Sequence, residues 1–271
     1  MPFTLDIDPV VFAIGGISIR WYGLLLVLAA VVTFRLALLE ARRRGVSDAV
    51  VSDGVVWVGA AALVGGRALY IVQNELGMVG ADPLHALMIW QGGLSFYGGL
   101  IAGLVALAVF ARRRGLSPLL AADIAAPGVA VGQAIGHIGC LISGDSYGTV
   151  TNVPWAVIYR NPATMAPQGV PLHPTQVYEA IALGLLFLGL WAGRRALGRL
   201  GTGAVAATYL IGLSAIRFGL FFLRDEPAVF LGLKTAQWIG LGIGATGVAI
   251  LVAIVIHGTS RYAINMEGTQ S

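Results

Sequence analysis

Charge is scarce in this chain. Asp, Glu, Lys and Arg together make up 11% of its 271 residues, less than half of the roughly 25% that a soluble globular domain uses to cover its surface. That shortage excludes a soluble domain of this size. It also excludes disorder, which needs polar and charged sequence. Cysteine is scarcer still: Cys140 stands alone, so one chain forms neither an internal disulfide nor a thiolate cluster. The four histidines are scattered, without carboxylates at ligand spacing, which speaks against a metal site. Haem is disfavoured too, because His257 is expected at the inner end of its helix and His137 toward the outer end of another. No metal or organic cofactor is expected. Residues 1–11 carry Asp6 and Asp8 but no Lys or Arg, and no small-residue cleavage site follows the first apolar run. That run is expected to be a permanent helix, not a removed signal peptide.

What fills the chain instead is apolar residues, 57% of the total, with a mean hydropathy of +0.83. Seven runs reach the roughly 20 residues needed to cross a ~30 Å hydrocarbon core. They lie near 18–40, 52–73, 95–111, 121–143, 174–193, 202–222 and 236–257. The expected fold is an all-α polytopic membrane protein, with residues 1–271 forming a single transmembrane domain. Thirty-eight glycines suit closely packed membrane helices, where small residues let backbones approach. Glycines 92, 93, 98, 99 and 103 suggest a broken or re-entrant start to the third span. Gly139, Gly144 and Gly148 suggest non-helical backbone ending the fourth. Irregular backbone at membrane depth needs protein or a wet cavity around it, which makes both places pocket candidates.

The arginines sort by loop. Arg42–Arg44, Arg112–Arg114 and Arg194, Arg195 and Arg199 follow the first, third and fifth spans, whereas loops 74–94 and 144–173 contain only Arg160. The excess of basic residues in cytoplasmic loops places the three arginine-rich connections inside. Seven spans then put the N-terminus outside and the C-terminus in the cytoplasm. The triplets are topology anchors, so no nucleic-acid partner is expected. Segment 144–173 reads as an ordered extracytoplasmic insertion without a long helix, its Trp155 and Tyr159 suited to the headgroup level.

Ionisable groups inside spans are costly and mark candidate sites. Arg20 and Arg35 can snorkel to an interface, which leaves Arg67, His137, Glu179 and Arg217. Arg224 follows Arg217 by seven residues, nearly two turns, so both guanidinium groups share a face if the helix continues. On the fourth span Gly128, Gly132 and Gly136 form a small-residue stripe, and Gln133, His137 and Cys140 a polar one, with Ser143 and Asp145 just beyond. On the fifth span Gln176 and Glu179 share a face, with His173 one turn earlier. Glu179 suits a catalytic role or the balancing of an arginine such as Arg67 or Arg217. Cys140 suits a small buried hydrophobe, or a nucleophile with His137 as its base. Arginines beside apolar helices fit an anionic headgroup with acyl tails, as in a phospholipid.

At these positions the chain resembles the prolipoprotein diacylglyceryl transferase family over almost its full length. The resemblance is carried by Ser18-Ile19-Arg20-Trp21-Tyr22-Gly23, Gly65-Gly66-Arg67, Gln91 through Gly99, Asp123 with Pro127, Gly136 through Gly148, Pro154-Trp155-Ala156, His173 through Glu179, Arg217-Phe218 with Arg224, and Gln237. It implies a transferase that moves a diacylglyceryl group from phosphatidylglycerol, or another anionic phospholipid, to the lipobox cysteine thiol of a prolipoprotein or other secreted acceptor. The reaction lies outside the bacterial cytoplasmic membrane and yields a thioether and glycerol phosphate. Together with the polar groups read from the spans, it points to catalytic roles for Arg217, His137, Tyr97 and Glu179, and to substrate binding by Tyr22, Arg67, Gln133, Cys140, Ser143, Asp145, Gln176 and Arg224.

The chain departs from the family pattern in type at five of these places. The signature Gly-Arg-x-Gly-Asn-Phe-x-Asn-Gly-Glu becomes Gly136-His137-Ile138-Gly139-Cys140-Leu141-Ile142-Ser143-Gly144-Asp145. The histidine of Ser-Phe-His-Gly-Gly is Tyr97, and the glutamate between the two late arginines is Phe221. Arginine offers five donors in a rigid fork, histidine two at most, so the departures change chemistry. Two other readings stay open: a paralogue that transfers a different lipid or acyl group to another acceptor, and a non-enzymatic lipid-binding protein.

Overall fold

The helices follow the apolar runs. The computed structural model describes residues 2–15, 17–77, 82–88 and 93–267, and among them seven helices are long and apolar enough to cross a membrane. They are α1 (Trp21–Arg43), α2 (Asp48–Tyr70), α3 (Phe96–Arg113), α4 (Pro118–Ser143), α5 (Thr175–Leu200), α6 (Ala204–Leu220) and α7 (Thr235–Glu267). A π-helical turn, Ile71–Glu75, prolongs α2, and a 3-10 turn, Phe221–Leu223, prolongs α6. Each expected span falls on one of these helices. Helices α1 and α3 run past the expected ends because their last turns take in Arg42 and Arg43, and Arg112 and Arg113, where cations favour a helix C-terminus.

Burial is inverted relative to a soluble protein. Val56, Val64, Ile101 and Val105 are exposed on the spans, while Asp123, Gln176, Glu179 and Gln237 are fully buried. Lipid tails solvate apolar side chains as well as other apolar side chains do, so the polar groups turn inward.

The chain divides into two compact units, Ala37–Ile124 and Met1–Leu36 with Ala125–Ser271. Helices α1 and α4 each contribute residues to both. In Ala37–Ile124, α2 meets α3 through glycine. A Cβ on Gly65 would overlap that of Ala102 and lie 2.7 Å from the Gly98 carbonyl oxygen. Helix α3 starts at Phe96, so Gly98, Gly99 and Gly103 are helical and not part of a broken start. Gly93, at φ +81°, precedes the helix, and Gly92 lies outside the described residues. An apolar cluster of Ala37, Ala41, Val46 and Ile124 sits beside a buried ion network. Glu40 accepts from Arg43 and, at 2.7 Å, from Arg44, which also reaches Asp123 at 3.2 Å.

The other unit is not purely helical, a correction to the all-α expectation. Strands β1 (Phe3–Leu5), β4 (Val157–Tyr159) and β5 (Pro171–Leu172) form a three-stranded sheet. In it β1 runs parallel to β4, and β4 antiparallel to β5. These stretches are too short and too polar in their flanks to be legible as strands by periodicity. Two hairpins, β2 (Val10–Ile14) with β3 (Ile17–Arg20) and β6 (Ala228–Phe230) with β7 (Leu233–Lys234), lead directly into α1 and α7. Segment 144–173 is ordered without a long helix, as expected, but Tyr159 is turned into the protein instead of being presented at the surface. It is 1% exposed in a core with Leu5, Val157, Ala166 and Leu172, while Trp155 stays exposed. Burial pushes the Tyr159 hydroxyl pKa up, so it remains a donor, here to the Leu141 carbonyl at 3.0 Å.

Helix α4 ends at Gly144, not at Gly139, which is helical. Gly144 takes φ +71°. Its N–H donates to Leu141 O at 3.4 Å, and that of Asp145 to Cys140 O at 3.1 Å. This pair of bonds is a Schellman termination. On the opposite side of α4 the glycine stripe meets α1: a Cβ on Gly128 would lie 2.8 Å from the Thr33 carbonyl oxygen, and one on Gly139 3.0 Å from the Tyr22 ring.

Replacing Gly65 by Leu should break the α2–α3 contact. The expected result is loss of monodisperse protein on size-exclusion chromatography in detergent. A variant that purified with an unchanged thermal midpoint would show that this approach is not required.

Candidate functional site

Glu179 is the centre of the polar cluster in the larger unit. It sits in the first turns of α5, 2% exposed. Its Oε2 lies 2.9 Å from Arg224 Nη2 and 2.8 Å from His137 Nδ1. The histidine contact is close but off the hydrogen-bond direction. Arg217, in the last turn of α6, adds a further favourable charge interaction with Glu179. The partner of Glu179 is therefore Arg224, with Arg217 in support, and not Arg67.

Arg217 and Arg224 do not lie along one continuous helix. The chain tightens into the Phe221–Leu223 turn and is extended at Arg224, φ −77°, ψ 147°. What brings the two together is Phe221. Its buried ring has the Arg217 guanidinium carbon 5.9 Å from its centroid on one contact and that of Arg224 5.0 Å away on another. Both are cation–π distances. Lys234, on β7, donates from Nζ to Phe221 O at 2.6 Å and also to Arg224 O. Gln237 locks this arrangement, accepting from Lys234 N at 2.9 Å and donating to Phe218 O at 3.0 Å. Lys234 and Phe221 were not among the expected site residues. One signal was available: Lys234 is the only lysine in the chain.

The polar stripe of α4 faces α5 and α6. Gln133 Oε1 accepts from the Tyr209 hydroxyl of α6 at 2.9 Å, and His137 meets Glu179. Cys140 is half-buried on the same stripe, its carbonyl taking the Ser143 hydroxyl at 3.2 Å. Gln176 lies one turn before Glu179 and donates from Nε2 to Asp145 O at 2.6 Å. Tyr22 opens α1 against Gly139, and the exposed Asp145 interacts electrostatically with both Tyr22 and Cys140. Ten of the twelve expected site residues thus belong to this unit. Tyr97 and Arg67 belong to Ala37–Ile124. There Arg67 is buried, pairs with Glu75 at 3.0 Å and donates to Ala86 O and Gly93 O at 3.0 and 3.2 Å. Tyr97 packs edge-on against Phe96.

Beside the cluster, α4 and α5 border an open recess of about 380 Å³ lined by His137, Ile138, Leu141, Gln176, Val177, Ala180 and Ile181. Its walls are apolar, and Ile138 and Ile181 are exposed at its edge. The cluster sets one carboxylate, Glu179, against two guanidinium groups. Such a site holds a bidentate anion at one end and an apolar chain at the other. Among the described residues no group of three His, Cys, Asp or Glu side chains is placed to hold a metal.

Removing one partner of a buried ion pair leaves the other uncompensated, at a cost of about 3–5 kcal/mol. Glu179→Ala should therefore lower the thermal midpoint in detergent sharply, and adding Arg224→Met should restore part of the loss. Additive effects in this double-mutant cycle would show that the contact carries no coupling.

A family model for prolipoprotein diacylglyceryl transferase matches residues 9–253. The chain is 33% identical over 279 residues to a phosphatidylglycerol–prolipoprotein diacylglyceryl transferase of Sinorhizobium medicae, covering 97% of this chain and 95% of the relative. It is 37% identical over 231 residues to one of Geobacter sulfurreducens, covering 84% and 85%. With one of Nitrosomonas europaea it shares 36% over 260 residues, covering 90% and 88%. The matched span takes in the first six helices, most of the seventh and the whole Glu179 cluster, and the chain belongs to the prolipoprotein diacylglyceryl transferase family of membrane transferases.

Proposed function

We propose that this protein transfers the diacylglyceryl group of phosphatidylglycerol to the lipobox cysteine thiol of a prolipoprotein, at the outer face of the bacterial cytoplasmic membrane. The observation that carries this reading is the buried Glu179 held between Arg224 and His137 beside an apolar recess. The names of the relatives supply the substrates. The orientation follows from the arginine-rich connections lying inside: the ends of α4 and α6 and the start of α5, where the cluster sits, then face out. We take the chain to act as a single transmembrane domain with segment 144–173 as its extracytoplasmic insertion.

In this mechanism Arg217 and Arg224 grip the lipid phosphate, and the acyl chains enter sideways past Ile138 and Ile181. The thiol sulfur attacks the glyceryl carbon that bears the phosphate. The S–C bond forms as the C–O bond breaks, and glycerol phosphate leaves with the electron pair. The guanidinium groups stabilise the charge gathering on it, in a site where water is scarce. His137 turns Nδ1 toward Glu179, and the neutral tautomer with its proton on Nδ1 has Nε2 free to accept the thiol proton. Tyr22, Gln133, Ser143, Asp145 and Gln176 shape the surroundings of that step. Tyr97 is assigned to catalysis on the family pattern alone, and Arg67 to binding as an intramembrane charge within a family motif.

The test is the intact mass of a lipobox peptide incubated with purified protein in phosphatidylglycerol liposomes. A gain of one diacylglyceryl group is expected, and an unchanged peptide with well-folded protein would overturn the reading. Arg217→Ala should lower the rate about a hundredfold or more, the scale for losing a transition-state donor. Cys140→Ser should stay within about threefold of the wild-type rate, because its sulfur takes no part in bond making; a loss of several orders of magnitude would show a covalent role.

A further inference from the structure

One stretch of the chain occurs twice, seventy residues apart. Ala41-Arg42-Arg43-Arg44-Gly45-Val46-Ser47 and Ala111-Arg112-Arg113-Arg114-Gly115-Leu116-Ser117 differ only at Val46 and Leu116, and Asp53 and Asp123 stand at equivalent places beyond them. The two stretches also fold alike. Each closes its helix, α1 or α3, at a glycine of positive φ, +73° at Gly45 and +70° at Gly115. The next N–H returns to a buried alanine, Val46 N to Ala41 O at 2.9 Å and Leu116 N to Ala111 O at 2.8 Å. Arg44 reaches Asp123 at 3.2 Å, and Arg114 pairs with Asp53. Equivalent residues thus exchange partners, as across a two-fold contact between identical subunits. The α1–α2 and α3–α4 turns are two copies of one unit about a local two-fold.

The copies differ in their counter-charges. In the first, Arg42 pairs with Asp48 at 2.5 Å and Arg43 with Glu40 at 2.8 Å. In the second, Pro118 stands in the place of Asp48 and Phe110 in that of Glu40. Phe110 is fixed there: its ring centroid lies 5.4 Å from the Arg114 guanidinium carbon, and a Cβ on Gly54 would come within 3.0 Å of the ring. Arg112 and Arg113 are exposed and make no ion pair among the described residues. Both lie in the last turn of a membrane span, where the helix leaves the hydrocarbon for the headgroups.

We infer that Arg112 and Arg113 bind the phosphate of an anionic phospholipid, so that the bilayer supplies the counter-charge that Glu40 and Asp48 supply in the first copy. This lipid is distinct from the substrate. Helix α4 begins at Pro118, beside the second turn, and passes His137 near its other end, so the lipid belongs to the opposite leaflet. Guanidinium forks match a phosphodiester in charge and in geometry. A zwitterionic headgroup adds an ammonium beside the two cations and loses the electrostatic gain.

The experiment places the full-length protein in phosphatidylcholine liposomes with a low fraction of a photoactivatable lipid, phosphatidylserine or phosphatidylcholine of the same acyl chains. Crosslinks to residues 104–120 are quantified by mass spectrometry. At low salt, wild type should favour phosphatidylserine at this segment by about tenfold or more, since each arginine near the surface is worth about fivefold. Arg112→Gln with Arg113→Gln should bring the two lipids within about threefold of each other. Pro118→Asp keeps every arginine that anchors topology and gives Arg112 the carboxylate of the first copy, so the preference should fall about fivefold. Arg42→Gln changes the net charge equally, but at an arginine already paired within the chain, and should cost less than about twofold. Equal labelling by both lipids in wild type would overturn the inference. So would equal losses in Arg42→Gln and Pro118→Asp, which a diffuse surface potential predicts. Inorganic phosphate added at constant ionic strength should leave the labelling unchanged; its displacement of phosphatidylserine would assign the arginines to a soluble anion and overturn the lipid assignment.

Discussion

A carboxylate placed among membrane-spanning helices has to be met by cations from other parts of the chain, and Glu179 imposes that requirement here. It is 2% exposed and shares one oxygen between Arg224 and His137. Meeting it ties the end of α4, the start of α5 and the segment after α6 to a single point. The supports extend outward from there. Phe221 places both late arginines, Lys234 and Gln237 fix the turn that carries Phe221, and the Gly148 N–H bond to His173 O at 3.0 Å joins the turn after α4 to the entry of α5.

Packing between helices in lipid gains little from burying apolar surface, because the tails are as apolar as the side chains. Close backbone approach takes over that role. Helix α4 shows how this positions chemistry. Gly128, Gly132 and Gly139 press against Thr33 and Tyr22 of α1, and the Thr33 hydroxyl donates to Gly128 O at 2.8 Å. With that side of the helix fixed, the stripe at Gln133, His137 and Cys140 can face only α5 and α6. The Schellman termination at Gly144 then turns the chain so that the Asp145 carbonyl meets Gln176.

The departures from the family pattern become physically coherent in this setting. Histidine in the signature arginine's place reaches Glu179 and offers a second nitrogen that can exchange a proton, which a guanidinium cannot do. Phenylalanine in place of a glutamate removes a negative charge from between two arginines. It presents a π face to both instead, and no second carboxylate is added beside the pair at that position.

Seven spans, the arginine asymmetry and the polar intruders His137, Glu179 and Arg217 were all legible in the sequence. Hydrophobic run length and the cost of charge in lipid are local properties that a linear reading captures. Family motifs added most of the residues that cluster around Glu179. The pairing was not legible. Glu179 meets Arg224 across a stretch of 45 residues, Arg67 is consumed by Glu75 and two carbonyls, and Tyr159 is buried in a core built by β1, β4 and β5. The break of helix at Phe221 and the use of Lys234 as a backbone clamp depend on contacts between residues distant in sequence. Such contacts are set by how helices and strands close on one another. Sequence thus determined where the chain enters the membrane and which residues are too polar to be there by accident, and tertiary structure decided which of them face each other.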